Sequence, residues 1–119
     1  MYVRGIRGAI TAEDNTEEAI FVATTELLQR VIGANELVTE DISSIIFTVT
    51  GDLDAAFPAA AARKLGLVHV PLVCTQEIPV PQSLQRCIRL LMHVMTDKKQ
   101  DEIVHIYLKG ARCLRPDLV

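Results

Sequence analysis

The run Cys87-Ile88-Arg89-Leu90-Leu91-Met92-His93-Val94-Met95 alternates with a period of two. Ile88, Leu90, Met92 and Val94 fall on one side of a strand, and Cys87, Arg89, Leu91 and His93 on the other. A strand with two apolar faces belongs inside a covered sheet, yet one of these faces carries a guanidinium. Two more arginines stand in similar places: Arg7 in Val3-Arg4-Gly5-Ile6-Arg7-Gly8-Ala9, and Arg63 after a run of alanines. Burying a guanidinium without a partner costs several kcal/mol, so each calls for a carboxylate from the protein or from a ligand. Between Ala55 and Thr96 the only acid is Glu77. That shortage implies that the missing anion is a bound molecule.

The chain has 119 residues, enough for one domain, residues 1–119, with a modest core. Half of it is apolar but only 4% aromatic, so Ala, Val, Ile and Leu must build that core. A formal net charge of −3 argues against a general nucleic-acid or anionic-membrane surface. Arginine outnumbers lysine eight to four, a bias that suits bidentate recognition of carboxylates. The acids from Glu13 to Asp41 form an ordinary solvated helix face and its flanking turns. Cys74, Cys87 and Cys113 make an odd count without CxxC spacing, so neither a disulfide framework nor a zinc site is expected. His69, His93 and His105 are isolated, and no metal site is expected from them. Arg4 and Arg7 interrupt the first apolar stretch, so no signal peptide is expected, and no apolar run reaches the ~18 residues of a membrane span. The expected compartment is the cytoplasm.

Tyr2 to Ile10 reads as a strand in which Gly5 and Gly8 admit close approach of another group. Asp14 or Thr16 caps a helix whose apolar stripe is Ile20, Thr24, Leu27, Leu28, Val31 and Ile32, closed by Gly33 and Asn35. Ile42 to Thr50 is a β-branched strand. Phe57-Pro58 opens a short alanine-rich helix that Gly66 stops. Val68 to Cys74, Cys87 to Met95 and Ile103 to Leu108 complete the strands, and Gly110 to Leu114 forms a last helical turn. The order β-α-β-α-β-β-β predicts an α+β domain with a mixed sheet. Two helices cover one face of it, and the face with Leu, Met, Cys and Arg needs another cover, most simply a second copy of the chain.

None of the serines lies in a GxSxG context, and neither a Walker loop nor a GxGxxG followed by an acid is present. An enzyme of this composition works with fixed charge and shape rather than covalent or cofactor chemistry, and no cofactor is expected.

Five strings together resemble one family. Arg4-Gly5-Ile6-Arg7-Gly8-Ala9, Phe57-Pro58-Ala59 before Arg63, Cys74-Thr75-Gln76-Glu77, Cys87-Ile88-Arg89, and Tyr107 followed by Leu114-Arg115-Pro116-Asp117 are similar to the monofunctional AroH-class chorismate mutases of the Bacillus type. The resemblance spans nearly the whole chain. It implies a homotrimeric pseudo-α/β-barrel with active sites between subunits, and the Claisen rearrangement of chorismate to prephenate on the route to phenylalanine and tyrosine. It also assigns roles. Arg7 and Tyr107 hold the side-chain carboxylate region, and Arg89 reaches a carboxylate and the ether oxygen. Glu77 and Cys74 contact the ring hydroxyl, Phe57 and Leu114 wall the pocket, and Arg63 arrives from the neighbouring chain. Two positions depart from the pattern. Ala60 stands where a member carries lysine at the pocket mouth, and Val73, a wall residue before the cysteine, replaces a threonine; both changes reduce polar contact at the entrance. Two other readings use the same arginines: an imine deaminase of the RidA-like group on this architecture, and a non-catalytic trimer that binds a small carboxylate.

Overall fold

A computed structural model describes residues 1–118. Strand β1 (Tyr2–Thr11) leads into helix α1 (Glu17–Ala34), whose first turn is capped by the Thr16 hydroxyl accepting from the Ala19 N–H at 3.1 Å. Glu17 and Glu18 in that turn oppose the positive end of the helix dipole. Strand β2 (Ile42–Val49), helix α2 (Pro58–Lys64), strand β3 (Leu72–Gln76), strand β4 (Cys87–Thr96) and the two-residue strand β5 (Ile106–Tyr107) follow. A 3-10 turn over Lys109–Leu114 and another over Pro116–Leu118 end the described chain.

The sheet runs β3-β2-β4-β1-β5 and is mixed, with β4 antiparallel to both its neighbours and the two edge strands parallel to theirs. One face packs on the helices. Ile6 and Ile10 of β1, Ile45 and Phe47 of β2, and Ile88, Leu90, Met92 and Val94 of β4 meet Ile20, Leu27, Leu28 and Val31 of α1, nearly all without solvent exposure. The helical stripe and the period-two alternation are therefore both as expected, and both helices lie on one face. Gly8 belongs to this face: a Cβ there would stand 3.2 Å from Leu27 Cδ1 and 3.3 Å from Val31 Cγ2, so its absence lets α1 settle on the sheet. Among the described residues no α-helix packs on the opposite face, and Ile46, Leu91 and Val73 on it are 37%, 38% and 58% exposed.

Two strands differ from expectation. β3 begins at Leu72 rather than Val68, because Leu67 and Val70 are buried behind α2 and Pro71 has no N–H for the ladder. β5 is shorter than Ile103–Leu108 because a side chain claims the backbone ahead of it. Asn35, 2% exposed, accepts from the Val104 N–H at 2.8 Å and donates to the Val104 carbonyl at 2.9 Å. Its amide nitrogen also donates to the Val31 carbonyl at 2.9 Å, which pins the entry to β5 against the end of α1.

Candidate active site

The uncovered face gathers the polar side chains of the middle of the sheet. Register sets Thr48 of β2 opposite Arg89 of β4, Arg89 opposite Ala9 of β1, and Ala9 opposite Tyr107 of β5. Alternation from the buried positions Phe47, Ile88 and Ile10 turns this rung away from the helices. Around its β1 end, Ala9, Cys87, Tyr107 and Ala111 form a small second core, with Leu84 and Leu114 packed against it. Arg7 lies two residues along β1 on the same face, opposite Leu91.

Arg89 does have a carboxylate within the chain. Its Nε lies 3.1 Å from Glu77 Oε2, with the arginine side chain 43% exposed and the glutamate 24%. Glu77 is delivered there because its N–H bonds to the Val49 carbonyl at 2.8 Å, carrying the chain past the end of β3 toward β4. The ion pair is close but poorly aligned: Arg89 Nε is buried and makes no hydrogen bond, and neither does the buried Thr48 hydroxyl beside it. Arg7 and Arg63, by contrast, are exposed. The expectation of buried arginines therefore does not hold within one protomer, since Arg7 and Arg89 lie on the uncovered sheet face and Arg63 in the last turn of α2.

The electrostatics exclude one chemistry. Burial pushes the Cys87 thiol up to about 11, against a smaller opposing pull from the Arg89 charge. At neutral pH Cys87 is a thiol and no nucleophile. His105 is held below its ordinary value by burial first and then by the charges of Arg7 and Arg115. Its Nδ1 accepts from the Arg7 N–H at 2.9 Å, which requires the neutral ring and fixes the β1 backbone beneath the Arg7 side chain.

The remaining expected site residues gather elsewhere. Phe57, Ala60 and Cys74 line an open cleft of about 490 Å³ between α2 and the β3 edge, together with Phe21 and Leu53. Asn15 shapes its rim by bonding the Asp54 carboxylate at 2.8 Å and the Asp54 and Ala55 N–H groups at 3.1 Å. Phe57 is 71% exposed at its mouth. Val73 points to the uncovered face beside Ile46. Thus Arg7, Glu77, Arg89, Tyr107 and Leu114 form one group on the sheet, while Phe57, Arg63 and Cys74 belong to the α2 side. The cleft beside α2 includes none of the first group. Among the described residues no cluster of three His, Cys, Asp or Glu side chains is set to hold a metal ion. Sequence reasoning missed Thr48; alternation from Phe47 was the available signal, but its pairing with Arg89 depends on a register forty residues away in the chain.

Residues 3–118 match the family Chorismate mutase type I. A protein called Chorismate mutase AroH from Thermus thermophilus is 54% identical over 117 residues, covering 98% of this chain and 96% of its own. Its namesake from Bacillus subtilis (strain 168) is 47% identical over 119 residues, covering 99% and 94% respectively. The solved structure of a chorismate mutase from Clostridium thermocellum superposes with a TM-score of 0.90 at 53% identity, over 92% of this chain and 97% of that one.

Proposed function

Because this chain belongs to the type I chorismate mutases, isomerases of aromatic amino acid biosynthesis, we propose that it rearranges chorismate to prephenate at a site built around Arg89 and completed by a neighbouring copy. The observation that carries this reading is Arg89 itself, half-exposed on an uncovered sheet face, 3.1 Å from Glu77, with Nε buried and unbonded. A buried N–H without an acceptor is costly and rare, so its presence here supports a ligand site.

Chorismate carries two carboxylates, and its reaction breaks a C–O bond ahead of forming a C–C bond. The ether oxygen therefore gains negative charge in the transition state. A guanidinium held at that oxygen favours the transition state over the substrate, which is what accelerates the step. Glu77 supplies the opposite charge near the ring, and Cys74 contacts the ring hydroxyl with it. Arg7 and Tyr107 hold the side-chain carboxylate. Leu114 from one chain, with Phe57 and Val73, walls the pocket and favours the compact conformer. Arg63 closes it from the neighbour. No covalent intermediate and no cofactor enter this scheme.

Assembly as a homotrimer, with the sheets forming a pseudo-α/β-barrel, fits two features of the protomer. Apolar side chains remain open on the uncovered face, and the site residues fall into two separate groups. We place the enzyme in the cytoplasm, acting as one domain over residues 1–119. The test is the loss of chorismate absorbance with purified wild type and Arg89→Ala. The variant should lose at least ~10²–10³-fold in rate, about 3–4 kcal/mol, by analogy with a deleted oxyanion donor. Near-normal turnover in the variant would remove Arg89 from the mechanism.

A further inference from the structure

We infer that Thr48 is a positioning residue for Arg89, its hydroxyl taking the Nε–H when the guanidinium turns from Glu77 toward substrate. Two unsatisfied groups of complementary kind sit on residues paired across the sheet. Thr48 Oγ1 and Arg89 Nε are both buried, and neither has a hydrogen-bond partner. The residues are direct partners across the antiparallel β2–β4 pair, with side chains on the same uncovered face. At such a position Cβ atoms lie ~4.5–5.5 Å apart, within reach of an arginine stem and a hydroxyl. Glu77 does not meet the need of that N–H, because its 3.1 Å approach lacks hydrogen-bond alignment. Cys87, the next polar side chain on the face, also lies against the guanidinium, but a buried thiol is a weak acceptor beside a hydroxyl.

The chemistry follows from the shape of arginine. Its five N–H donors are fixed in one plane, so tying down Nε orients the two terminal nitrogens as a fork. A bond from Nε–H to Thr48 would leave that fork aimed outward at the substrate and release the Glu77 carboxylate to act on its own. Passage of Thr48 from one staggered well to another about its Cα–Cβ bond would turn the oxygen toward Nε. Thr48 thereby acts through Arg89 and does not touch the reacting atoms.

This inference rests on the reading of Arg89 above, and the experiment separates the two. Steady-state turnover of chorismate would be measured for Thr48→Val, Thr48→Ser, Arg89→Lys and the double variant Thr48→Val/Arg89→Lys. Valine keeps the shape and strand preference while removing the hydroxyl. It should lower kcat about tenfold with KM nearly unchanged, the scale of one hydrogen bond to a charged group. Serine should restore kcat to within about twofold, since it keeps the hydroxyl. On Arg89→Lys, which has no Nε–H, Thr48→Val should cost nothing further, whereas a merely structural effect would add. A Thr48→Val enzyme with wild-type kcat, or an additive loss in the double variant, would overturn the role of Thr48 alone. Full activity in Arg89→Lys and Arg89→Ala would overturn the reading of Arg89 first. Should valine prevent folding, Thr48→Ala against Thr48→Ser is held to the same criterion.

Discussion

Asn35 offers the sharpest test of how the described contacts convert into stability. Replacing it with alanine removes three hydrogen bonds: those to the Val31 and Val104 carbonyls, and that from the Val104 N–H. A neutral hydrogen bond contributes about 1 kcal/mol net, which gives about 3 kcal/mol for the set. Val104 is 42% exposed, so water replaces part of what its backbone loses. The expected destabilisation is therefore about 2–3 kcal/mol. Urea unfolding followed by circular dichroism, at fixed protein concentration, would read it as a midpoint lowered by about 1–2 M for a typical small-protein slope. Asn35→Asp provides a second reading. It keeps an acceptor for the Val104 N–H but turns a carboxylate oxygen toward two carbonyls in a site only 2% exposed. Lys98, whose ammonium already serves the Asn35 main-chain oxygen and Glu36, offsets only part of that repulsion. At neutral pH the aspartate variant should thus be no more stable than the alanine variant, despite its closer shape. A midpoint shift under about 0.5 M for alanine would refute the claim that Asn35 secures the entry to β5.

Glu77→Ala should slow turnover by at least ~10-fold while sedimentation finds the assembly intact, and dissociation to monomers would make Glu77 a structural partner of Arg89 instead. Leu91→Asp, which sets a carboxylate on the uncovered face, should leave far-ultraviolet dichroism unchanged but shift sedimentation toward monomer; an unchanged assembly would show that another surface joins the copies. His105 is held neutral in the fold, so its contribution to stability is fully present above its ordinary value of 6.5 and is lost as pH falls from there toward its lowered folded value. Urea midpoints taken between about pH 7.5 and 5 should therefore decline more steeply in wild type than in His105→Gln, and parallel declines would disprove the coupling.

Much of the fold was legible because it rests on short-range pattern. Alternation from Cys87 to Met95 separates Arg89 from the core side of β4, and the stripe from Ile20 to Val31 marks the buried side of α1. What escaped depends on distant partners. Asn35 reads as a helix stop, yet its amide serves Val104, 69 residues away, and that bond shortens β5. The single acid Glu77 was legible as scarce, but its place beside Arg89 comes from the Val49 carbonyl and the crossing of β3. Pattern also tells which side chains share a face without telling whether the same chain covers it. Arg7 therefore looked buried and is exposed in the protomer.

The placement of the proposed site on the sheet also divides its walls by how firmly they are held. Arg89 is the third residue of β4, a strand with hydrogen-bonded neighbours on both sides. Amides there should exchange with solvent deuterium only through global opening of the protein. Tyr107 and Leu114 hang on a two-residue strand and a 3-10 turn at the sheet edge, the kind of attachment that opens locally at far lower free energy. On the proposed reading, substrate entry and product exit are free to use the edge without loosening the Arg89 charge assigned to the chemistry. Sequence drift in the terminal segment would then tune release, while drift along β4 would strike the chemical step itself.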